Sequence, residues 1–425
     1  MRQYLDRGRQ ALFSATAKDT YILFTGNIIS AFLGFVFIFL VARVLNREDF
    51  GVFSAALNLV VILTSLSDLG ITSGLVNFIA KADSENDEET SLKYQKAGIV
   101  IKISVVLVLS LIVILFAPFI SSKLLASSDS VISIWVAVIA VALSVPMYFP
   151  FILQAKKKFM QSMVVDNVYY LFRLIGLLFF IFFGTLGLYN SFSTALWGFV
   201  VSLVFSFFFL GFKFLKAKPT KEIYLNLIKF SGWIGVNRII SSISGRLDIQ
   251  MLAVLTTAST TALYSIPSRL SSLLIILTSS FSAVLSPRFA SMGDKDKERI
   301  YLVKAFFGTL PIVGASLVWV LVAEPFMQIV FPNYMDSVPV FRALTIAMIP
   351  FILTAPSVSA IIYAMKKNVY IGAFSFFQIT AIFLLNYYFI PKYGALGPTF
   401  TFGIINTTLA IYTWVIVIHY YWFKK

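Results

Sequence analysis

Long apolar runs leave this chain almost no choice of architecture. Twelve occur, at residues 20–42, 50–79, 98–120, 131–153, 160–183, 191–212, 226–255, 261–287, 302–323, 340–364, 369–390 and 396–422. Each is close to or above the ~20 residues that cross a ~30 Å hydrocarbon core as a helix. Within a bilayer every backbone N–H and C=O needs an internal partner, so such runs fold as helices. Only 12% of the residues are charged, and these collect in short clusters between the runs. The expected fold class is an all-α polytopic membrane protein with twelve transmembrane helices.

Lysine and arginine set the expected orientation, because cytoplasmic connections carry the excess. With the N-terminus placed in the cytoplasm, 25 of the 34 basic residues fall in inside segments. These include Arg2, Arg7, Arg9, Lys81, Lys93, Lys96, Lys102, the Lys156–Lys158 cluster, Lys424 and Lys425. Five fall outside (Arg43, Arg47, Lys123, Arg342 and Lys392), and four within spans (Arg173, Arg238, Arg246 and Arg269). Both termini are therefore expected in the cytoplasm. The net charge of +15 reads as a topology signal rather than as a nucleic-acid surface. The absence of cysteine and the single histidine, His419, leave no thiolate or His-based metal or catalytic cluster, so no metal, cofactor or catalytic residue is expected. The connections are too short for an ATPase domain or for the catalytic loops of a membrane enzyme, so the chain is not expected to be an enzyme.

An internal repeat is visible. FGVFSAA at 50–56 resembles TALYSIP at 261–267, pairing Phe53 with Tyr264. Ala117-Pro118-Phe119 resembles Glu324-Pro325-Phe326, and Ala155 before its lysines resembles Ala364 before Lys366-Lys367. The offsets, 211, 207 and 209, are nearly one number. Two six-helix lobes follow, residues 1–215 and 216–425, joined by the polar link at 211–222. Equal halves with an even span count share an orientation, so a pseudo-two-fold axis runs along the membrane normal, with a central cavity between the lobes.

Ionisable groups inside spans cost about 2.5–3.5 kcal/mol or more and normally face a bundle interior or a wet cavity. Arg238, Ser241, Ser242, Gly245, Arg246 and Asp248 fall on one side of a continuous 226–255 helix; Ser265, Ser268, Arg269 and Ser272 share a face of the next. This describes a cationic wall suited to an anionic cargo, because guanidinium binds phosphate bidentately and keeps its charge when desolvated. Arg238, Arg246, Arg269, Arg173 and Asp248 are the candidate substrate-binding residues. Two alternatives stay open: Arg173 pairs with Asp166 two turns earlier, and Asp248 neutralises one arginine. In the second span, Ser54, Asn58, Ser65, Asp68 and Thr72 share a narrow face, so Asp68 is expected to face polar groups.

The run ARVLNREDFGVFSAALNLVVILTSLSDLGITSGLVNFIAK at 42–81 resembles the first-to-second span signature of bacterial polysaccharide exporters, with Asp68-Leu69-Gly70 late in the second span. YSIPSRLSSLLIILTSSFSAVLSPRFA at 264–290 is similar to the matching stretch of their second lobe. The family is the O-antigen and capsule flippases of the multidrug/oligosaccharidyl-lipid/polysaccharide exporter superfamily. The resemblance implies a flippase moving undecaprenyl-pyrophosphate-linked oligosaccharide from the cytoplasmic to the outer leaflet of the inner membrane by alternating access, for surface polysaccharide such as lipopolysaccharide O-antigen or capsule. It also implies an ion gradient as the driving force, for which Asp68 is the candidate coupling carboxylate. The implied partners are the lipid-linked oligosaccharide and membrane lipids, with a polysaccharide polymerase and chain-length regulator beside them. An ion-coupled drug or small-solute exporter of the same superfamily is the alternative.

Overall fold

The computed structural model describes residues 15–423, and all regular structure among them is helical. Arg2, Arg7, Arg9, Lys424 and Lys425, which entered the topology count, lie outside the described residues. The principal helices of the N-terminal half are α1 (Ala15–Val44), α2 (Arg47–Asp68), α3 (Ile71–Ser84), α4 (Glu88–Leu115), α5 (Val131–Ser144), α6 (Phe149–Ala155), α7 (Phe159–Phe182) and α8 (Leu188–Leu210). Those that follow are α9 (Lys221–Ser244), α10 (Leu247–Leu255), α11 (Ala258–Ser291), α12 (Lys295–Leu321), α13 (Val338–Leu353), α14 (Asn368–Tyr393) and α15 (Gly397–Ile418).

Ten helical stretches are long and apolar enough to cross a membrane, among the described residues, against the twelve expected. Two features account for the difference. The expected spans 369–390 and 396–422 are two helices, α14 and α15, broken at Gly394 (φ 54°, ψ −126°) but adjoining through the short Gly394–Leu396 helix, so they fall within one 56-residue helical stretch. The expected span 226–255 contains α9, which at 24 residues is long enough but carries Lys221, Glu222, Lys229 and Arg238. The protein is a multi-pass membrane protein. Its outer surface agrees: Phe182 is 83% exposed, Phe208 78% and Trp233 69%, exposures that suit lipid rather than water.

Packing divides the chain into two compact units. The first holds the described part of Met1–Asn46, with Ala56–Ser122 and Ser128–Ser242; the second holds Arg47–Ala55, Lys123–Ser127 and Ile243 onward. In the first unit Ile71, Leu75, Tyr148, Phe149, Ile152 and Leu227 anchor an apolar core. In the second, Ile249, Leu252, Tyr264 and Leu344 form one cluster and Phe289, Leu302 and Ile361 another. Buried hydroxyls tie helices together where no water is present to do so, as in Ser67–Ser144 at 3.3 Å and Ser357–Thr413 at 2.9 Å. Outside the spans, Asp87 and Asp294 cap α4 and α12: hydrogen bonds from Thr90 and from the Asp296 backbone hold both carboxyls below their ordinary range.

The internal repeat is written in the backbone. Ala117–Leu124 and Ala323–Val330 are both eight-residue helices at matching places. Lys157 (φ 57°) and Lys366 (φ 54°) both adopt the left-handed conformation, and α7 and α14 begin two residues after each. Lys157 to Lys366 and Phe159 to Asn368 are each 209 residues, the offset seen in sequence. A left-handed lysine costs about 1–2 kcal/mol, part of which glycine returns as lost chain entropy. Both lysines are exposed, so little packing is at stake. Lys157→Gly and Lys366→Gly are each expected to raise stability by about 0.5–1 kcal/mol. Thermal denaturation of the purified protein in detergent checks this, and unequal or opposite shifts would contradict a shared local geometry.

Candidate functional site

The second expected span, 50–79, is not one helix. Leu69 (φ 45°) and Gly70 (φ 74°) are consecutive left-handed residues, which a right-handed helix cannot contain, so α2 stops at Asp68 and α3 starts at Ile71. A left-handed leucine is uncommon and marks a place where the surroundings dictate the backbone. Those surroundings are α9. A Cβ on Gly70 would lie 2.6 Å from the Gly235 nitrogen and 2.7 Å from the Ser231 carbonyl oxygen. A Cβ on Gly235 would lie within 2.3 Å of the Leu69 carbonyl oxygen, and one on Gly74 within 2.7 Å of the Ser231 hydroxyl. Leu227, Ser231, Gly235 and Arg238 follow one another by four, four and three residues, so they share the face of α9 laid against this break.

That close approach delivers Arg238 to Asp68. The Arg238 guanidinium donates to Asp68 Oδ2 at 2.9 Å and to the Thr72 hydroxyl at 2.6 Å, bridging the two sides of the break. Thr72 also donates to Asp68 Oδ2 at 2.9 Å. The other carboxylate oxygen, Oδ1, accepts from Lys102 Nζ at 3.2 Å. Asp68 and Lys102 side chains are 11% and 6% exposed, while Arg238 is 44% exposed. One carboxylate facing two cations leaves a net positive charge, carried at the open side by the arginine. These groups line a cavity of about 290 Å³ within the first unit, with Thr64, Ser242 and Met147 on its walls.

The structure distributes the expected site residues differently from a continuous wall. Ser244 ends α9 and Arg246 precedes α10, so Arg238 and Arg246 stand on separate helices, because the chain turns at Gly245–Arg246. Arg238 belongs to the first unit; Arg246, Asp248 and Arg269 belong to the second. Asp248 is buried at 4%, its Oδ2 accepts from the Tyr264 hydroxyl at 2.7 Å, and the Arg246 charge also acts on it. Arg246 and Arg269 are both half-buried. Arg173 lies 3.9 Å over the ring centroid of Phe37, a cation–π contact, whereas Asp166 accepts from Ser30 at 2.9 Å. The Arg173–Asp166 pair considered from spacing is not among the ion pairs of the described residues. Asp68 faces polar partners as expected. One of them, Lys102, differs from its expected place in a cytoplasmic segment: it lies fourteen residues into α4 and is buried. Its place inside the apolar run GIVIKISVV was the signal that could have found it.

A family model described as polysaccharide biosynthesis protein matches residues 16–293, 278 of the 425 positions. No curated protein matches the chain in sequence. Among solved structures, the chain is similar to an inward-facing multidrug resistance MATE family transporter of the MOP superfamily (TM-score 0.73, 13% identity, covering 91% of this chain and 93% of that one). It is similar to the lipid II flippase MurJ in an inward closed conformation (TM-score 0.72, 17% identity, covering 93% and 87%). A third is a MOP superfamily transporter from Pyrococcus furiosus whose binding pocket is described as having reverse polarity (TM-score 0.59, 15% identity, 96% of each chain). At these identities the likeness concerns the fold: all helical, in the two-lobed arrangement of MOP transporters.

Proposed function

The chain belongs to the polysaccharide biosynthesis protein family, and from that premise we propose that it is a flippase for undecaprenyl-pyrophosphate-linked oligosaccharide, acting from the cytoplasmic to the outer leaflet. The observation that carries this reading is the Asp68–Lys102–Arg238 cluster: a net positive, partly open site inside a membrane protein. Two cations about one carboxylate suit a cargo that brings its own negative charge. A pyrophosphate oxygen can take the Arg238 fork in place of Asp68, while Lys102 keeps the carboxylate compensated. Arg246 and Arg269 supply further cationic side chains in the second unit, and Arg173 one more in the first. In this reading Asp68 is the carboxylate whose hold on Arg238 an ion or proton would weaken, which makes it the candidate coupling residue. The expected place of work is the inner membrane with both termini cytoplasmic, beside the polymerase and chain-length regulator that use the product.

The test is made in a host lacking the protein. Prenyl-pyrophosphate oligosaccharide is expected to accumulate in the cytoplasmic leaflet, and the wild type is expected to clear it. Arg246→Ala and Arg269→Ala, inserted at wild-type levels, are expected to lower export about tenfold each, the loss of one charge-assisted contact. Intact surface glycan with no accumulated lipid would instead favour an ion-coupled drug or small-solute exporter. Normal export by both variants would remove the arginines from the site.

A further inference from the structure

A second cavity, of about 470 Å³, lies wholly within the second unit, bounded by α11, the end of α13 with the Ala355–Ser359 turn, and α14. Its volume falls within the about 300–1,000 Å³ of small-molecule sites. Its chemistry differs from that of the Asp68 cavity, since no side chain lining it is charged. Hydroxyls dominate the polar part, and their hydrogen bonds fix what they offer. Thr278 donates to the Leu274 carbonyl at 2.7 Å, Ser286 to Ser282 at 2.7 Å, Thr354 to Phe351 at 2.6 Å and Ser375 to Ile371 at 3.1 Å. A hydroxyl has one proton and two lone pairs. In these four the proton is held by the helix and what remains for the cavity is acceptor capacity, while Ser279, Ser282, Ser359 and Tyr363 add hydroxyls that can donate as well as accept. Gln378 adds an amide, and Phe351 and Phe374 contribute apolar faces.

An uncharged wall of hydroxyls and one amide is a poor match for phosphate, whose charge it leaves uncompensated, and for hydrocarbon, which would leave its polar groups without partners. It matches a neutral ligand that carries both donors and acceptors on an apolar ring. We propose that this cavity binds the neutral sugar portion of the lipid-linked oligosaccharide, through its hydroxyl and amide N–H groups. The inference rests on the flippase reading and assigns the sugar a site of its own, chemically distinct from the cationic one. Polyhydroxylated rings supply donors around their edge and C–H faces above and below, which is the mixture this wall presents. Specificity at such a site is strong, because a sugar lacking the matching donor leaves a protein acceptor unpaired.

The experiment uses the full chain in lipid nanodiscs and two probes: undecaprenyl pyrophosphate, and the prenyl-pyrophosphate oligosaccharide purified from cells lacking the protein. The wild type is expected to bind the sugar-bearing lipid at least about tenfold more tightly than the sugar-free one, the worth of one to two neutral hydrogen bonds. Ser282→Phe, which fills the cavity, is expected to abolish that difference and to leave affinity for undecaprenyl pyrophosphate unchanged. Gln378→Leu, which keeps the side-chain size and removes the amide, is expected to reduce the same difference, and covers the case that the phenylalanine prevents folding. Equal binding of the two lipids by the wild type overturns the sugar site alone, as does an undiminished difference in the folded variants. Failure of the wild type to bind undecaprenyl pyrophosphate overturns the flippase reading beneath it.

Discussion

Lys102→Met is expected to lower the stability of the protein by about 2–3 kcal/mol and to abolish glycan export. Breaking a buried ion pair by removing one partner costs about 3–5 kcal/mol, because it strands the other charge. Here Asp68 keeps Arg238 and Thr72, which are 2.9 Å away, so the loss falls somewhat below that range. The variant also ties Arg238 more firmly to Asp68, since no other cation then compensates the carboxylate, and an arriving anion must compete with an undiluted counter-charge. Adding Asp68→Leu to Lys102→Met is expected to restore most of the stability, as apolar replacements of buried pairs do, without restoring export. The measurements are thermal denaturation in detergent and clearance of lipid-linked glycan in cells. A Lys102→Met protein that melts and exports like the wild type would show that the lysine is incidental.

Gly235→Ala is expected to cost about 3 kcal/mol or more, and to displace Arg238 from Asp68. The added methyl would sit 2.3 Å from the Leu69 carbonyl oxygen and 2.6 Å from its carbon, and backbone cannot swing aside as a side chain can. Overpacking of a close-packed interior costs about 1–3 kcal/mol where side chains yield, and more where they do not. Gly232, one turn earlier on the same helix, is the comparison: a Cβ there meets nothing within 4 Å. Gly232→Ala is expected to stabilise by about 0.5–1 kcal/mol through helix propensity alone. Equal effects at the two glycines would contradict the packing of α9 against the break.

Much of the fold was legible because a bilayer accepts so few structures. Apolar length alone announced helices, and the short clusters of charge marked their ends. Residues 50–79 and 226–255 were harder, since apolar content does not reveal that Leu69 takes φ 45° or that the chain turns at Gly245. Both breaks follow from tertiary contact and local backbone, which hydropathy does not encode. The site was legible in part for a related reason. Asp68 and Arg238 were conspicuous as charges in apolar runs, yet their meeting is 170 positions apart in sequence and depends on two glycines touching. Lys102 stands near the edge of an apolar run, where a few residues decide between loop and span. Tyr264 matches Phe53 in the repeat, and its hydroxyl, absent from phenylalanine, is the part that reaches Asp248.

The two left-handed lysines, Lys157 and Lys366, carry a practical consequence. Because the halves share these turns at one offset, the two lysines are sister positions, and the molecule supplies its own experimental control. The break at Leu69–Gly70 has no such sister: 209 residues on, the chain runs uninterrupted through α11. Substitutions made in sister pairs therefore separate damage to the common frame, which strikes both halves alike, from damage to the working parts, which strikes one.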